Sequence, residues 1–305
     1  MINIFLFTDK LKNLYNEVDN TGEKLEIKFN LIKRSEMESG GLCTSKKNNN
    51  IPYIEIAIRE DRLNEDVVAH ELLHAFFIKK GFGQTRANNI GDIPFGRITT
   101  LLHAIIEHKK IYEMQKTIGI NIIEAQKHKA NTIFKGTEKE PSIITYDIII
   151  NSLLLLDCII STNEYKELYI DRIRTNFKHT YELTKILERE LFSVDISNAR
   201  MFRTKFISGL KVCDKYLSKH MPKSIQHFKL TENIAISFIP SEYQLQLKAE
   251  QVFTFRETLN NFIILSKKDN QACYIIGKPN DINILKNMTV EELMGRIDGL
   301  ITIRR

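Results

Sequence analysis

A chain of 305 residues with 43% hydrophobic and 27% charged residues is composed like a folded protein of more than one domain, which excludes a disordered chain. The net charge of +6 is the remainder of 44 basic and 38 acidic residues, with no long block of one sign, so a basic nucleic-acid tail is excluded and direct nucleic-acid binding is not expected. Cys43, Cys158, Cys213 and Cys273 are far apart and form no C-x-x-C pair, which argues against a cysteine metal cluster or a disulfide framework and for a reducing compartment.

Residues 1–10 hold an apolar patch too short for a signal sequence, with no basic segment before it. Residues 9–18 read as a helix. The alternation from Lys24 to Ile32 reads as a half-buried strand. Turns at Gly40–Gly41 and at residues 48–50 flank a short segment around Leu42, Cys43 and Thr44, and a stronger strand follows at 53–58. Asn64 then stands as an N-cap, with Glu65 and Asp66 in the first turn of a helix predicted over 65–80 and stopped at Gly81.

A polar connection from Gly81 to Gly96 leads to a helix over 97–117, ended near Gly119, and to another over 121–134. Residues 136–142 read as a linker. Residues 143–219 read as three helices, broken near 161–163 and 193–197. The apolar run 143–160 carries Asp147, Asn151 and Asp157, which makes a bilayer span costly, so no membrane association is expected and the location expected is the cytoplasm. Strands follow at 252–257, 262–266 and 272–277, then a helix over 289–297, where Thr289 and Glu292 have capping-box spacing. The expected class is α+β: a first domain over 1–135, the linker 136–142, and an α+β domain over 143–305 without a catalytic signature.

The segment that carries chemistry is Val67-Val68-Ala69-His70-Glu71-Leu72-Leu73-His74-Ala75-Phe76. On a helix, residues four apart lie one above the other, so His70 and His74 can reach one metal ion. Glu71 points elsewhere around the helix and is free to accept a proton from metal-bound water. Neutral imidazole suits zinc, and three protein ligands leave the fourth position for that water.

Val67 to Phe76 resembles the extended H-E-x-x-H signature of the zincin metallopeptidases. The resemblance implies a twisted sheet backed by the active-site helix, with the strand 53–58 as the edge strand that pairs with extended substrate. It also implies one zinc per chain and hydrolysis of a protein or peptide. The third ligand divides that family. Phe77 and Lys80 stand where a metzincin needs Gly and His, which leaves the gluzincin pattern, with a Glu from a second helix. That helix offers His103, Glu107 and His108. Glu107 is preferred, because Ala104 and Ile111 flank it and a buried carboxylate needs a partner. His103 and His108 stay open as alternative ligands or supporting residues.

The position that would hold an orienting Asp is Ile111, so Asp92 is the substitute considered. For the oxyanion His103, His108, Tyr112 and Tyr53 are candidates. His128, His179, His220 and His227 read as scattered surface residues. In size and layout the chain is similar to cytoplasmic metallopeptidases of the ImmA/IrrE type. The alternative reading is a zincin scaffold that binds without turnover, in transcription control or phage defence. The intact Glu71 argues against it.

Overall fold

The structure is a computed structural model that describes residues 8–37, 39–49, 51–88, 93–122, 140, 145–161, 166–221 and 229–297. It is mixed α+β, and its contacts divide the chain into two units, one of residues 1–82 and 107–126, the other of 83–106 and 127–305. This division differs from the boundary expected at 136–142. Of that expected linker only Glu140 is described, and of the expected helix 121–134 only the first two residues.

The first unit opens with helix α1 (Asp9–Asp19) and strand β1 (Glu26–Ile32). Strands β2 (Gly41–Asn48) and β3 (Ile51–Arg59) form a hairpin turned at Asn49, whose φ is 50°. Helix α2 (Glu65–Lys79) follows. The sheet order is β1-β3-β2. β1 runs parallel to β3, from Glu26 against Tyr53 to Ile32 against Arg59. β2 runs antiparallel, with Gly41 against Ile58 and Asn48 against Ile51.

The expected edge strand is therefore the central one. The reason lies in its burial: the neighbours Ile56, Ala57 and Ile58 are all buried, so both faces of β3 are covered. β1 alternates as expected, with Ile27 and Phe29 inward. Leu11, Leu14 and Val18 of α1 are also buried, and α1 packs on α2.

α2 ends at Gly81 by a Schellman motif. Gly81 has φ 73°, its N–H donates to the Ile78 carbonyl, and the Phe82 N–H donates to the Phe77 carbonyl. The Phe77 and Phe82 rings, 4.8 Å apart, supply the apolar contact that accompanies this motif. Lys79, only 1% exposed, places its ammonium 2.6 Å from the Asp19 carbonyl and 3.4 Å from that of Leu25. Those acceptors offset the cost of burying the charge and tie the end of α1 to the end of α2.

The second unit contains strand β4 (Thr85–Ala87). Helix α3 (Phe95–Thr117) belongs to it up to Ile106 and to the first unit from Glu107 on. Among the described residues of 143–221 there are four helices where three were expected: α4 (Tyr146–Ser161), α5 (Lys166–Asn176), α6 (Lys178–Phe192) and α7 (Ala199–His220). The unforeseen break is at Phe177, where no Gly or Pro marks it. The Glu140 carboxylate accepts from the N–H groups of His179 and Thr180 at 2.8 and 2.7 Å, so a distant residue caps α6.

Beyond α7, strand β5 (Ile234–Ile236) pairs antiparallel with β4. Strands β6 (Phe253–Glu257), β7 (Asn261–Ser266) and β8 (Ala272–Gly277) form an antiparallel meander. Helices α8 (Ile282–Asn287) and α9 (Val290–Ile297) close the described chain, and Phe253, Tyr274, Leu285, Leu293 and Met294 share one core. Thr289 and Glu292 exchange the two hydrogen bonds of a capping box. Among the described residues no helix is long and apolar enough to cross a membrane.

Candidate metal centre

α2 is apolar almost all round. Val68, Ala69, Leu72, Leu73, Ala75 and Phe77 are buried, as in a helix packed on more than one side. The Asn64 carbonyl accepts from the Val68 N–H, but its side chain makes no cap bond; Thr8 donates instead to the Glu65 carboxylate. His70 and His74 interrupt the apolar surface one turn apart, ring centroids 4.9 Å apart and nearly perpendicular. The facing residues come from the last half of α3, where His108, Tyr112 and Gln115 lie on one face, with Glu107 beside them. All four are buried. α3 then stops at Gly119, φ 75°, with the same pair of closing bonds as α2.

The imidazoles converge through their Nε2 atoms. His70 Nε2 lies 3.1 Å from His108 Nε2 and 3.2 Å from His74 Nε2. Among the described residues His70, His74 and His108 are the group able to hold a metal ion. Each ring is backed at its other nitrogen. Glu107 Oε2 is 2.6 Å from His74 Nδ1, Gln115 Oε1 is 3.5 Å from His70 Nδ1, and the Tyr112 hydroxyl is 3.4 Å from His108 Nδ1. Gln115 is itself oriented, since its Nε2 donates to the Asp66 carbonyl at 2.9 Å.

The backing acceptors decide which nitrogens face inward with lone pairs. A carboxylate accepts and does not donate, so His74 donates from Nδ1 and, as a neutral ring, keeps its lone pair on Nε2. The Gln115 carbonyl oxygen, 3.5 Å from His70 Nδ1, favours the same tautomer there. Two nitrogen lone pairs facing each other at 3.2 Å repel unless positive charge lies between them. A tetrahedral ion with arms of about 2.0–2.1 Å sets its ligand atoms roughly 3.3 Å apart, close to the separations here. Neutral imidazoles backed by acceptors are the donor set that zinc takes. The residues fit the metal.

Glu71 is 6% exposed. Burial is the main force on its carboxyl and raises its pKa to about 7; His74 and the Cys43 backbone N–H counter this, and Glu107 adds to it. The Cys43 thiol is pushed well above its ordinary pKa, first by burial and then by Glu71 and Glu107.

The preferred third ligand is where the structure differs most from expectation. Glu107 stands behind His74, and His108 occupies the place beside the other two imidazoles. The two are adjacent on α3, and successive helical residues point about 100° apart, so only one can face His70. His103 is not brought to this group; its Nδ1 lies 3.2 Å from the Thr85 hydroxyl and its ring packs on Phe202.

Ile111 is fully buried, Asp92 lies outside the described residues, and Tyr53 lies under the Lys28 ammonium, 4.7 Å from its ring centre. His179 and His220 are not scattered: their rings lie 5.2 Å apart, beside Tyr216. His128 and His227 lie outside the described residues. Sequence reasoning missed Gln115 and the β2 backbone at Gly41 and Cys43. The signal for Gln115 was its position seven residues after His108, on the same helical face.

Comparison of the chain with protein-family models, curated proteins and solved structures found no match.

Proposed function

We propose that the chain is a zinc-dependent peptidase acting on a protein or peptide in the cytoplasm. His70, His74 and His108 would hold one zinc ion, with Glu71 as the proton-transfer residue. The observation that carries this reading is the meeting of the His70, His74 and His108 Nε2 atoms, with Glu71, the residue next to His70, buried. A zinc ion bound there would polarise a substrate carbonyl and acidify a water at the position the protein leaves open.

The remaining work falls to the chain. Glu107 holds His74 in the tautomer that binds metal, and Gln115 does so for His70. The Glu71 carboxylate accepts the proton of the attacking water at one oxygen and passes it to the leaving amine. A structural zinc role is disfavoured, because such sites close around four ligands, usually with cysteine, and no cysteine belongs to this group. A peptide substrate suits β2, which is at the edge of its sheet and packs against α2.

The test is a library of peptides cut from cellular protein, incubated with the zinc-loaded chain and read by mass spectrometry for new termini. New cleavage sites that vanish with chelator and return with zinc are expected. A library left intact by zinc-loaded protein would refute the reading.

A further inference from the structure

A side chain at position 41 would collide with Glu71. A Cβ built on Gly41 falls 2.6 Å from both Cγ and Oε1 of Glu71 and 2.8 Å from its Cδ. Real Cβ atoms do not come so close, so either the strand or the glutamate must move. The glutamate is the end of a side chain, but not a loose one. It is buried, and the Cys43 backbone N–H favours its charged form. Backbone conformation does not explain the glycine, since Gly41 is not among the glycines with positive φ. Its neighbour gives the contrast. A Cβ on Gly40 meets the Arg62 Cβ at 3.6 Å, an ordinary contact.

We propose that Gly41 is a positioning residue for Glu71: the bare backbone of β2 at this point is the space in which the carboxylate is held. Its catalytic meaning rests on the peptidase reading, but the placement does not. β2 grips the carboxylate at two successive outward positions, by open space at Gly41 and by an N–H at Cys43. A methyl group at 41 displaces the carboxylate and leaves His70, His74 and His108 untouched.

The experiment is a thermal cycle on the zinc-loaded full chain, comparing wild type, Gly41→Ala, Glu71→Ala and the double variant, with Gly40→Ala as control. Gly41→Ala should keep its zinc and lower Tm by roughly 3–10 °C, the range for an overpacked site. In the Glu71→Ala background the same change should cost nothing, because the colliding atoms are gone. Gly40→Ala should leave Tm unchanged. With a cleavable peptide in hand, Gly41→Ala should lower kcat about 100-fold with KM unchanged, as a small misplacement of a reacting group does.

An equal loss of Tm in both backgrounds, no loss in either, or a wild-type kcat would overturn the proposal. If Gly41→Ala does not fold, the double variant decides: folding restored supports the proposal, and failure again overturns it. The thermal cycle needs no turnover. It therefore judges the placement of Glu71 even where the peptidase reading fails.

Discussion

Replacing Glu71 by Gln should leave about one zinc per chain and lower peptide hydrolysis by about 10²–10⁴-fold, the usual contribution of a positioned acid–base group. The substitution keeps the shape of the side chain and its place under β2, where the Cys43 N–H still finds an oxygen to bond. What it removes is the ability to accept a proton. Folding should not suffer, since an amide is easier to bury than a carboxylate in a site only 6% exposed. Zinc content by metal analysis, Tm, and turnover of a cleaved peptide together check this result. Unchanged turnover would show that Glu71 moves no proton in the reaction.

The second large effect is expected from His74→Ala. It removes one of three converging nitrogens and with it the partner of Glu107 Oε2 at 2.6 Å. Zinc content should fall below a tenth of an ion per chain. In wild type, zinc at a hundred times its Kd stabilises the fold by about 2.7 kcal/mol, so adding chelator should lower Tm by roughly 5–10 °C. In His74→Ala, Tm should not respond to zinc or to chelator. His70→Ala should behave in the same way. A variant that still bound zinc with wild-type affinity would show that α2 does not hold the ion.

How much of this was legible in the sequence depended on how local each feature is. The pairing of His70 with His74 is a matter of spacing on one helix, and the stop signals at Gly81 and Gly119 lie within a few residues of the helix ends they close. The alternation of β1 and the capping box at Thr289 are local in the same sense. The choice between Glu107 and His108 is not. It depends on the rotation of α3 about its axis against α2, and one residue's difference moves a side chain from the imidazole cluster to the back of one of its rings.

Other features are tertiary for similar reasons. β3 is central because β1 and β2 both pair with it, which its own alternation cannot reveal. The break at Phe177 is made by Glu140, from outside both helices. Gly41 reads as a turn residue beside Gly40, and only the packing of β2 over α2 shows that it makes room for a carboxylate. Gln115 carries no metal-ligand signal of its own; its role comes from the Asp66 carbonyl that turns its amide.

The central claim is that His108, and not Glu107, completes the metal site, and a zinc competition titration against a chromophoric chelator tests it most directly. His108→Ala should fail to hold zinc against the chelator, whereas Glu107→Gln should still bind about one ion with affinity weakened roughly 10–100-fold, as expected for the loss of a residue that orients a ligand. Wild-type zinc affinity in His108→Ala, together with loss of the ion in Glu107→Gln, would contradict the account and put the metal on the carboxylate.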